Sequence, residues 1–339
     1  MRAFLPSLAG GLALVASLAG CDQRSARDAA PIIVRATFGR TGLSPGQFVY
    51  PRAIDAGAES IWVIDKTARV QRLDMKGERA PVGFAMPESA LGKPTGVTIA
   101  AGPDGQEALY VPDTHYHRIM IYDPELVRGE EPRLIASFGE FGEGPGQFIY
   151  PTDVCVVVGS AGLPERIYVS EYGGNDRVSV FDAEYRFLFA FGTQGTSEGA
   201  TFDRPQSIEY EASLGELIVT DACNHRVGRF TLDGELVAWI GSPDSAGDAP
   251  GAFAYPYGLD LPGNGTAVVS EFGNGRVQHI DLETGESLGV YGVPGRGAGE
   301  LMSPWGVVIV GDTVYVLDSG SDRVVSFDAP RRARQVAAP

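Results

Sequence analysis

The sequence has little cysteine, little histidine and a shortage of positive charge. Its 339 residues include three Cys and four His, with no Cys-x-x-Cys pair and no zinc-knuckle spacing. A Walker loop, a dinucleotide fingerprint and a Ser/His/Asp order are absent as well. With 27 Lys and Arg against 43 Asp and Glu, the formal net charge is −16. Phosphate backbones and anionic lipid surfaces repel so acidic a chain, so we expect no nucleic-acid partner.

The apolar run at the N terminus is too short to cross a membrane. It spans residues 8–18, 11 residues, whereas a membrane-spanning helix needs roughly 20. Arg2 precedes the run, and Leu18-Ala19-Gly20-Cys21 ends it. This segment resembles the signal peptide and lipobox of bacterial lipoproteins. The resemblance implies cleavage before Cys21 and acylation of Cys21, which anchors the chain in a lipid bilayer through several acyl chains.

The lipoprotein resemblance divides the N-terminal region and predicts a location. Residues 1–20 are then a signal peptide and residues 21–30 a short tether. We expect a bacterial cell-envelope protein on the periplasmic side, with Asp22 resembling the signal for retention at the inner membrane. The alternative is an ordinary secretory signal followed by a chance Cys.

Two cysteines remain once Cys21 is assigned to the anchor. Cys155 falls within a predicted strand and Cys223 in a loop of the neighbouring repeat. An exported protein can form disulfides, so pairing is the alternative, but we expect two free or buried thiols.

Glycine and proline, in contrast, are abundant, with 45 Gly and 23 Pro. So many turn-forming residues exclude long helices. Their sum stays below the roughly 25–30% typical of disordered chains, and the hydrophobic fraction of 44% supplies a core. The composition therefore predicts many short strands joined by turns.

Six copies of one unit account for this excess, at spacings of about 43 to 59 residues. The unit reads Phe-Gly, a Gly-rich stretch, Gly-Gln-Phe, an aromatic residue and Pro, then two apolar runs, an acid and an Arg. The proline recurs at Pro51, Pro94, Pro151, Pro205, Pro256 and Pro304. The acid recurs at Asp65, Asp113, Glu171, Asp221, Glu271 and Asp318. The arginine recurs at Arg69, Arg118, Arg177, Arg226, Arg276 and Arg323.

Each copy holds four strand-like runs, which is the pattern of a propeller blade. The segments 221–227 and 318–324 resemble the signature loop of the NHL-repeat family of β-propellers. We therefore expect an all-β, six-bladed β-propeller of four-stranded antiparallel blades over residues 31–330, followed by a C-terminal tail over 331–339. The second copy departs most from the unit.

The last copy supplies three strands only, and a basic tail follows it. The segment from Ile32 to Phe38 reads like the outer strand of another copy, Leu134 to Phe138. We expect this N-terminal strand to complete the last blade, which removes an exposed sheet edge.

The recurrent acids and arginines are predicted to form structural ion pairs. A ring of charge that binds a ligand is the alternative. Because all six copies carry the pair, and a specific site usually breaks symmetry, we favour the structural role.

The positions that break the repeat are the candidate ligand contacts. The residue after each repeat proline opens an inner strand at the mouth of the central tunnel, and these residues are Arg52, Thr95, Thr152, Gln206, Tyr257 and Trp305. Loop residues above them include Tyr116, Tyr172, Phe272, His115, His117 and His225. Such an aromatic and polar set suits a sugar, a peptide or a small amphipathic ligand. Tyr50, Tyr150 and Tyr255 precede three of the prolines, and we expect them to pack between blades.

No cofactor is predicted, although calcium and zinc stay open as alternatives. Asp55, Asp153, Glu209 and Asp260 lie further along the inner strands, and could bind calcium if several faced the tunnel. The peptide-amidating lyase, which shares the NHL architecture, uses a zinc ion held by three His. Here we expect no such convergence of His115, His117, His225 and His279.

The sequence thus predicts a membrane-anchored, extracytoplasmic propeller that binds a ligand or protein at its tunnel mouth. The expected partner is an envelope protein, a peptide or a glycan, and the propeller is expected to be monomeric. The alternatives are a metal-dependent lyase or hydrolase with its site at the same mouth, and a purely structural role in a membrane complex.

Overall fold

A computed structural model describes residues 30–57, 59–75, 80–127, 129–197, 199–241 and 246–329. Strands and turns make up nearly all of these residues, with two short 3₁₀ helices at Thr114–Tyr116 and Ser319–Ser321. The predicted signal peptide, Cys21 and the predicted tail at 331–339 lie outside the described residues. Nowhere in the described ranges does a helix have the length and apolarity needed to span a membrane.

Six four-stranded sheets follow one another along the chain, and each is one blade. The first strand, β1 (Ala36–Phe38), precedes blade 1 in sequence. Blade 1 holds β2 (Pro51–Ala56), β3 (Ser60–Asp65), β4 (Arg69–Asp74) and β5 (Val82–Ala85). Blade 2 holds β6 (Thr98–Ala101), β7 (Glu107–Asp113), β8 (Arg118–Tyr122) and β9 (Leu134–Phe138). Blade 3 holds β10 (Tyr150–Val158), β11 (Pro164–Tyr172), β12 (Arg177–Phe181) and β13 (Phe187–Phe191).

The second half of the ring repeats this arrangement. Two short strands, β14 (Thr193–Gln194) and β15 (Thr201–Phe202), pair in parallel between blades 3 and 4. Blade 4 holds β16 (Pro205–Glu211), β17 (Glu216–Asp221), β18 (Arg226–Thr231) and β19 (Leu236–Gly241). Blade 5 holds β20 (Pro256–Asp260), β21 (Thr266–Glu271), β22 (Arg276–Asp281) and β23 (Ser287–Tyr291). Blade 6 holds β24 (Val307–Val310), β25 (Thr313–Asp318) and β26 (Arg323–Asp328), together with β1.

The blades are antiparallel and the inner strands surround a central tunnel. In blades 1 to 5 the strands pair in sequence order from the inside outwards, and in blade 6 the order is β24, β25, β26 and then β1. The inner strands, which neighbour one another around the ring, are β2, β6, β10, β16, β20 and β24. The all-β, six-bladed fold predicted from the repeats is therefore confirmed.

The N-terminal strand closes the ring as predicted. β1 pairs antiparallel with β26, and Ala36 lies opposite Ser326. The amide of Arg35 extends this pairing by donating to the carbonyl of Ser326 at 2.7 Å. Closure gives the sheet of blade 6 a fourth strand and ties the two ends of the propeller together.

The hydrophobic core lies between blades. Among the described residues, each of the six interfaces between adjacent blades holds one cluster of buried apolar side chains. Trp62 of blade 1 packs with Leu109 of blade 2, for example, and Val154 of blade 3 packs with Tyr110 of blade 2. A blade therefore buries its two faces only when both neighbours are present.

The Phe-Gly dipeptide of the repeat has a packing explanation. Gly139 adopts φ +95°, and a Cβ placed on it would lie 2.5 Å from the ring of Phe148, the Phe of the Gly-Gln-Phe motif. Phe148 is fully buried between blades 2 and 3. Glycine is therefore required both by the backbone conformation and by the approach of this ring.

Buried hydroxyl groups connect neighbouring blades close to the tunnel. Five of them donate to a backbone carbonyl near the start of the next inner strand. The donors are Thr95, Thr152, Thr220, Ser270 and Ser319, and the acceptors are the carbonyls of Thr152, Pro205, Tyr257, Trp305 and Pro51 in that order. Each of these hydrogen bonds satisfies a polar group that the blade interface takes out of water.

Candidate functional site

The six acid–arginine pairs all form in the structure. Each acid is buried and is the last residue of the second strand of its blade, except Glu171, which is the last but one. Each arginine is the first residue of the third strand. The Nε–oxygen distances range from 2.6 Å in Glu271–Arg276 to 3.0 Å in Asp113–Arg118, and in blade 1 Asp65 contacts Nη2 of Arg69. In blade 4, Asp221 and Arg226 are both 0% exposed.

In five of the six blades, these pairs hold the segment that precedes the inner strand. In blade 3, Glu171 accepts the amide of Ile149 at 2.7 Å, while Arg177 donates to the carbonyls of Glu143, Gly144 and Gln147. Blade 2 has no Gly-rich segment of this kind, and Arg118 pairs instead with Glu88 as well as with Asp113. The side chains are thus engaged by the protein itself, which fits the structural role predicted for them.

An aromatic cluster stands at the tunnel mouth, between blades 4, 5, 6 and 1. Tyr257 stacks on Phe272 at a centroid distance of 4.9 Å and contacts Trp305 at 4.7 Å. Tyr50 meets the edge of Trp305 at 6.0 Å. We use the name tunnel mouth for these four aromatic residues together with Arg52, Tyr172, Arg204 and Gln206.

Two arginines of the tunnel mouth lie over aromatic rings rather than against carboxylates. The Arg52 guanidinium lies 5.0 Å from the ring centroid of Trp305, and that of Arg204 lies 4.8 Å from Tyr172 and 5.4 Å from Tyr257. Within the part of the chain that the structure describes, neither arginine forms an ion pair. Burial, together with the nearby charge of Arg204, lowers the pKa of Arg52. These are cation–π contacts in a partly desolvated setting.

Among the described residues, three hydrogen-bond donors of the tunnel mouth are buried without a partner. They are Nε of Arg52, Nε2 of Gln206 and Nε1 of Trp305. Gln206 and Trp305 are only 3% and 6% exposed. The three residues line one central cavity, with a water-accessible volume of about 40 Å³. Buried polar groups in folded proteins normally have partners, so three orphaned donors in one cavity indicate a site for an acceptor.

Carboxyl groups line the tunnel below the mouth and connect the blades in pairs. Asp55 accepts the amide of Ile99 at 2.6 Å, which joins blades 1 and 2. Asp153 accepts the amide of Ile208 at 3.1 Å, which joins blades 3 and 4, and Asp260 accepts the amide of Ile309, which joins blades 5 and 6. Three of the four tunnel acids therefore use their oxygens to join neighbouring inner strands.

The tunnel raises the pKa of all four carboxyls. Burial raises the pKa of Asp55 to about 8, that of Asp153 to about 7 and that of Asp260 to about 6. Glu209 faces Asp260, Asp55 and Asp153, and burial followed by their charges raises its pKa well above the ordinary value. Among the described residues, no three His, Cys, Asp or Glu side chains are arranged to hold a metal ion.

The structure separates the residues predicted to contact a ligand. Arg52, Gln206, Tyr257, Trp305, Tyr172 and Phe272 come together at the tunnel mouth. Thr152 does not, because it is 0% exposed and its hydroxyl already bonds Pro205 and Ser170. Tyr116 also lies elsewhere, under the guanidinium of Arg118 and bonded by the amide of Leu91. Thr95 is also buried, with its hydroxyl bonded to Thr114, but unlike Thr152 it lines the same central cavity as Gln206.

Arg204 is a mouth residue that sequence reasoning missed. It precedes Pro205, at the position where three other repeats have Tyr. The available signal is this replacement of an aromatic residue by a cation, but from the sequence the position before the proline is assigned to packing between blades, and ligand contacts are expected from the residue after each proline and from the loops. Tyr50, at the equivalent position before Pro51, contacts Trp305 and so packs between blades 1 and 6 as expected.

The histidines do not converge. His117 and His225 occupy equivalent positions in their repeats. Each adopts the left-handed backbone conformation and directly precedes the arginine of its acid–arginine pair. His117 bonds the carbonyl of Ile149 through Nδ1, and His225 accepts the amide of Tyr255 at 3.2 Å. His115 packs on Tyr150, and His279 lies inside β22. The arrangement gives no three-histidine metal centre among these residues. Cys155 and Cys223 are free thiols, as expected.

Comparisons with known sequences agree with the repeat assignment. The family model described as NHL repeat matches residues 202–230. The chain is 27% identical over 158 residues to Protein brain tumor of Drosophila melanogaster, covering 47% of this chain and 13% of that protein. It is 30% identical over 176 residues to NHL repeat-containing protein 3 of Homo sapiens, covering 48% of this chain and 50% of that protein. The matched region thus spans half or less of either relative.

Solved structures share the fold at low sequence identity. A structural-genomics protein of unknown function from Bacteroides thetaiotaomicron has a TM-score of 0.63 and 15% identity, over 86% of this chain and 76% of its own. Virginiamycin B lyase from Staphylococcus aureus has a TM-score of 0.56 and 14% identity, and the match covers 86% of this chain and 100% of the lyase chain. At such identities the likeness concerns the fold alone.

Proposed function

We propose that this chain, an NHL-repeat six-bladed β-propeller, is a lipid-anchored binding protein of the bacterial envelope that holds its ligand at the tunnel mouth. The propeller supplies a rigid ring, and the loops and strand ends that meet at the mouth supply the contacts. The ligand is a peptide, a glycan or part of an envelope protein.

The observation that carries the proposal is the break in symmetry at the tunnel mouth. Around the ring, acid–arginine pairs and hydroxyl contacts repeat from blade to blade, and all of them are satisfied by the protein. The tunnel mouth instead combines Trp305, Tyr257 and Phe272 with unpaired arginines and orphaned donors. An apolar concave surface with a few convergent polar groups is the usual form of a ligand site.

The anchor is proposed from the sequence Leu18-Ala19-Gly20-Cys21. Acylation of Cys21 would place the ring at a membrane surface while the binding face stays in the aqueous phase. Mass spectrometry of the protein from its native host should find the N-terminal peptide beginning at an acylated Cys21. A soluble chain with an unmodified Cys21 would contradict the anchor and leave the binding proposal to its own test.

Binding is better supported than metal-dependent catalysis. A hydrolase or lyase of that kind needs a donor set for its ion, and the described residues bring no three metal-ligating side chains together. The likeness to virginiamycin B lyase rests on the fold at 14% identity. It therefore supplies no argument for the same chemistry.

The binding proposal is tested with native envelope extracts and matched tryptophan variants. Trp305→Phe combined with Phe272→Leu alters the tunnel mouth and keeps apolar side chains there. The control is Trp62→Phe, because Trp62 is also buried beneath an arginine, Arg72, but in the interface between blades 1 and 2. We expect the wild type and the control to retain the same bound species, identified by mass spectrometry, and the mouth variant to lose it. Equal retention by all three would place the binding surface elsewhere.

A further inference from the structure

We infer that the tunnel mouth recognises a carboxylate, which the guanidinium groups of Arg52 and Arg204 and the donors of Gln206 and Trp305 would hold. This inference rests on the proposed binding function and specifies the charge and chemistry of its ligand. The body of the ligand would lie on the aromatic rings of the tunnel mouth.

The first argument comes from the kind of group left unsatisfied. The orphaned mouth groups are all donors: Nε of Arg52, Nε2 of Gln206 and Nε1 of Trp305. The orientation of the Gln206 amide is fixed, because its Oε1 accepts Nε of Arg204 at 3.2 Å. Donors without acceptors are complementary to a ligand oxygen, and an ionised oxygen makes the stronger hydrogen bonds.

The second argument comes from charge. The chain carries a formal net charge of −16, and the repeated loop arginines all have carboxylate partners. Arg52 and Arg204 are close enough for their charges to interact, yet they pair with no acid in the described residues. Two partly desolvated cations without a counterion, in so acidic a protein, would be stabilised by an anion placed between them.

The third argument distinguishes a carboxylate from a larger or doubly charged anion. The cavity is small, with a water-accessible volume of about 40 Å³. The same cavity is lined by four acidic residues, Asp55, Asp153, Glu209 and Asp260, so the second charge of a phosphate would meet more repulsion than the single charge of a carboxylate. Guanidinium groups match the geometry of a carboxylate in two parallel hydrogen bonds. The partly exposed rings of Phe272, Tyr172 and Tyr50 adjoin the cavity residues and suit an apolar or aromatic carrier.

The test uses pairs of probes that differ only in charge. One pair is N-acetyl-Phe-Phe with a free C-terminal carboxylate and the same dipeptide as its amide. The other is trigalacturonate and its methyl ester. Affinities are measured by calorimetry for the wild type, for Arg52→Gln, Arg204→Gln and the double variant, and for Arg72→Gln. Arg72 is the matched control because it also lies over a tryptophan, 5.8 Å from the centroid of Trp62, outside the tunnel mouth.

We expect at least one acid to bind about tenfold or more tightly than its neutral twin, because a charge-assisted hydrogen-bonded pair is lost in the twin. The preference should fall in each single variant, vanish in the double variant and persist in Arg72→Gln. Which of the two acids binds then identifies the carrier as a peptide or a uronic-acid glycan.

Four results would overturn the inference. These are equal binding of acid and neutral twin, a preference unchanged in the double variant, tighter binding of inorganic phosphate than of either acid, and no binding of any probe. None of them would refute the binding function itself, which is tested separately by whether the Trp305→Phe/Phe272→Leu variant loses the native bound species. A folded state of every variant is verified by its thermal transition.

Discussion

Nε of Arg204 donates a hydrogen bond to Oε1 of Gln206 at 3.2 Å, two residues further along the chain. Arg204 has a left-handed backbone with φ 64°, and its amide is held by Asp176 at 2.6 Å. The contact occupies the only acceptor of the Gln206 amide and leaves Nε2 buried without a partner. This arrangement places an unsatisfied donor in the cavity, which a protein selected for stability alone would avoid.

Gln206→Met is therefore expected to leave the free energy of unfolding unchanged or to raise it. The substitution keeps a side chain of similar length and removes a buried unsatisfied donor, whose burial costs about 1–3 kcal/mol. It also removes the 3.2 Å hydrogen bond from Nε of Arg204, and because Arg204 is only partly buried, water can replace that bond. Denaturant unfolding of the ligand-free protein measures the effect.

Gln71→Met is the matched control for Gln206→Met. Gln71 is also buried, but its Oε1 accepts the amide of Gly46 and its Nε2 donates to the carbonyl of Gln47, both at 2.9 Å. Losing these bonds should destabilise the protein by about 1–3 kcal/mol. A larger loss for Gln206→Met than for Gln71→Met would contradict the assignment of Gln206 to a ligand site.

The fold could be predicted from the sequence because the repeat marks the same points in every blade. The proline, the acid and the arginine fix where the inner strand begins and where the second and third strands meet. In blade 3, for instance, Glu171 and Arg177 lie opposite each other in the pairing of β11 with β12. The return of the N-terminal segment to blade 6 followed from the missing fourth strand.

The composition of the tunnel mouth could be predicted only in part, because it depends on side-chain direction. Thr152 and Gln206 occupy the same place in their repeats, yet the hydroxyl of Thr152 turns into the blade interface and the amide of Gln206 lines the cavity. The position before the proline was missed as a source of ligand contacts. Its role depends on the left-handed conformation of Arg204, which sequence pattern alone does not reveal.

The stability of the propeller should fall as the pH rises from about 4 to about 8. An unfolded Asp has a pKa of about 3.9, whereas burial raises that of Asp55 to about 8, that of Asp153 to about 7 and that of Asp260 to about 6. The folded state thus binds more protons than the unfolded state within this window. Stability is therefore lost as the pH rises through it. Thermal unfolding in buffers of equal ionic strength measures the slope.

Asp55→Asn tests the origin of that slope. The amide of the new Asn side chain cannot ionise. Loss of the Asp55 charge also weakens the repulsion that helps to raise the pKa of Glu209. The variant should show a shallower fall in Tm between pH 5 and pH 8 than the wild type. An unchanged slope would assign the pH dependence to other raised carboxyls, such as Glu171, whose pKa burial raises to about 7.

Arg226→Ala should destabilise the protein by about 3–5 kcal/mol, the usual cost of leaving a buried charge unpaired. Asp221 and Arg226 are wholly buried, and Arg226 also lies 3.6 Å from the ring centroid of Trp239. Arg323→Ala should cost less, because Arg323 is 19% exposed and water reaches the remaining acid more easily. Denaturant unfolding compares the two, and the double variant Arg226→Ala/Asp221→Asn should recover part of the loss. An equal cost for both single variants would contradict the role of burial.

Gly139→Ala should destabilise the protein by about 2–4 kcal/mol, the sum of left-handed backbone strain and overpacking. The added Cβ would lie 2.5 Å from the ring of Phe148. Gly129→Ala separates the two effects, because Gly129 has a similar φ of +85° but no atom within 4 Å of the added Cβ. It should cost only the backbone strain of about 1–2 kcal/mol. Equal costs would show that Phe148 moves aside freely, and would remove the packing explanation of the Phe-Gly dipeptide.

Deletion of residues 31–38 should abolish cooperative unfolding. The deletion removes β1 from blade 6, exposes the edge of β26 and takes away Ile32, a buried member of the cluster between blades 5 and 6. Because each blade buries its faces only against both neighbours, the loss at one interface should weaken the whole ring. Scanning calorimetry should show a broad transition with reduced enthalpy, whereas Arg35→Ala, which keeps the strand, should retain a single sharp transition. An unchanged Tm after deletion would mean that three strands suffice for blade 6, and that β1 does not close the ring energetically.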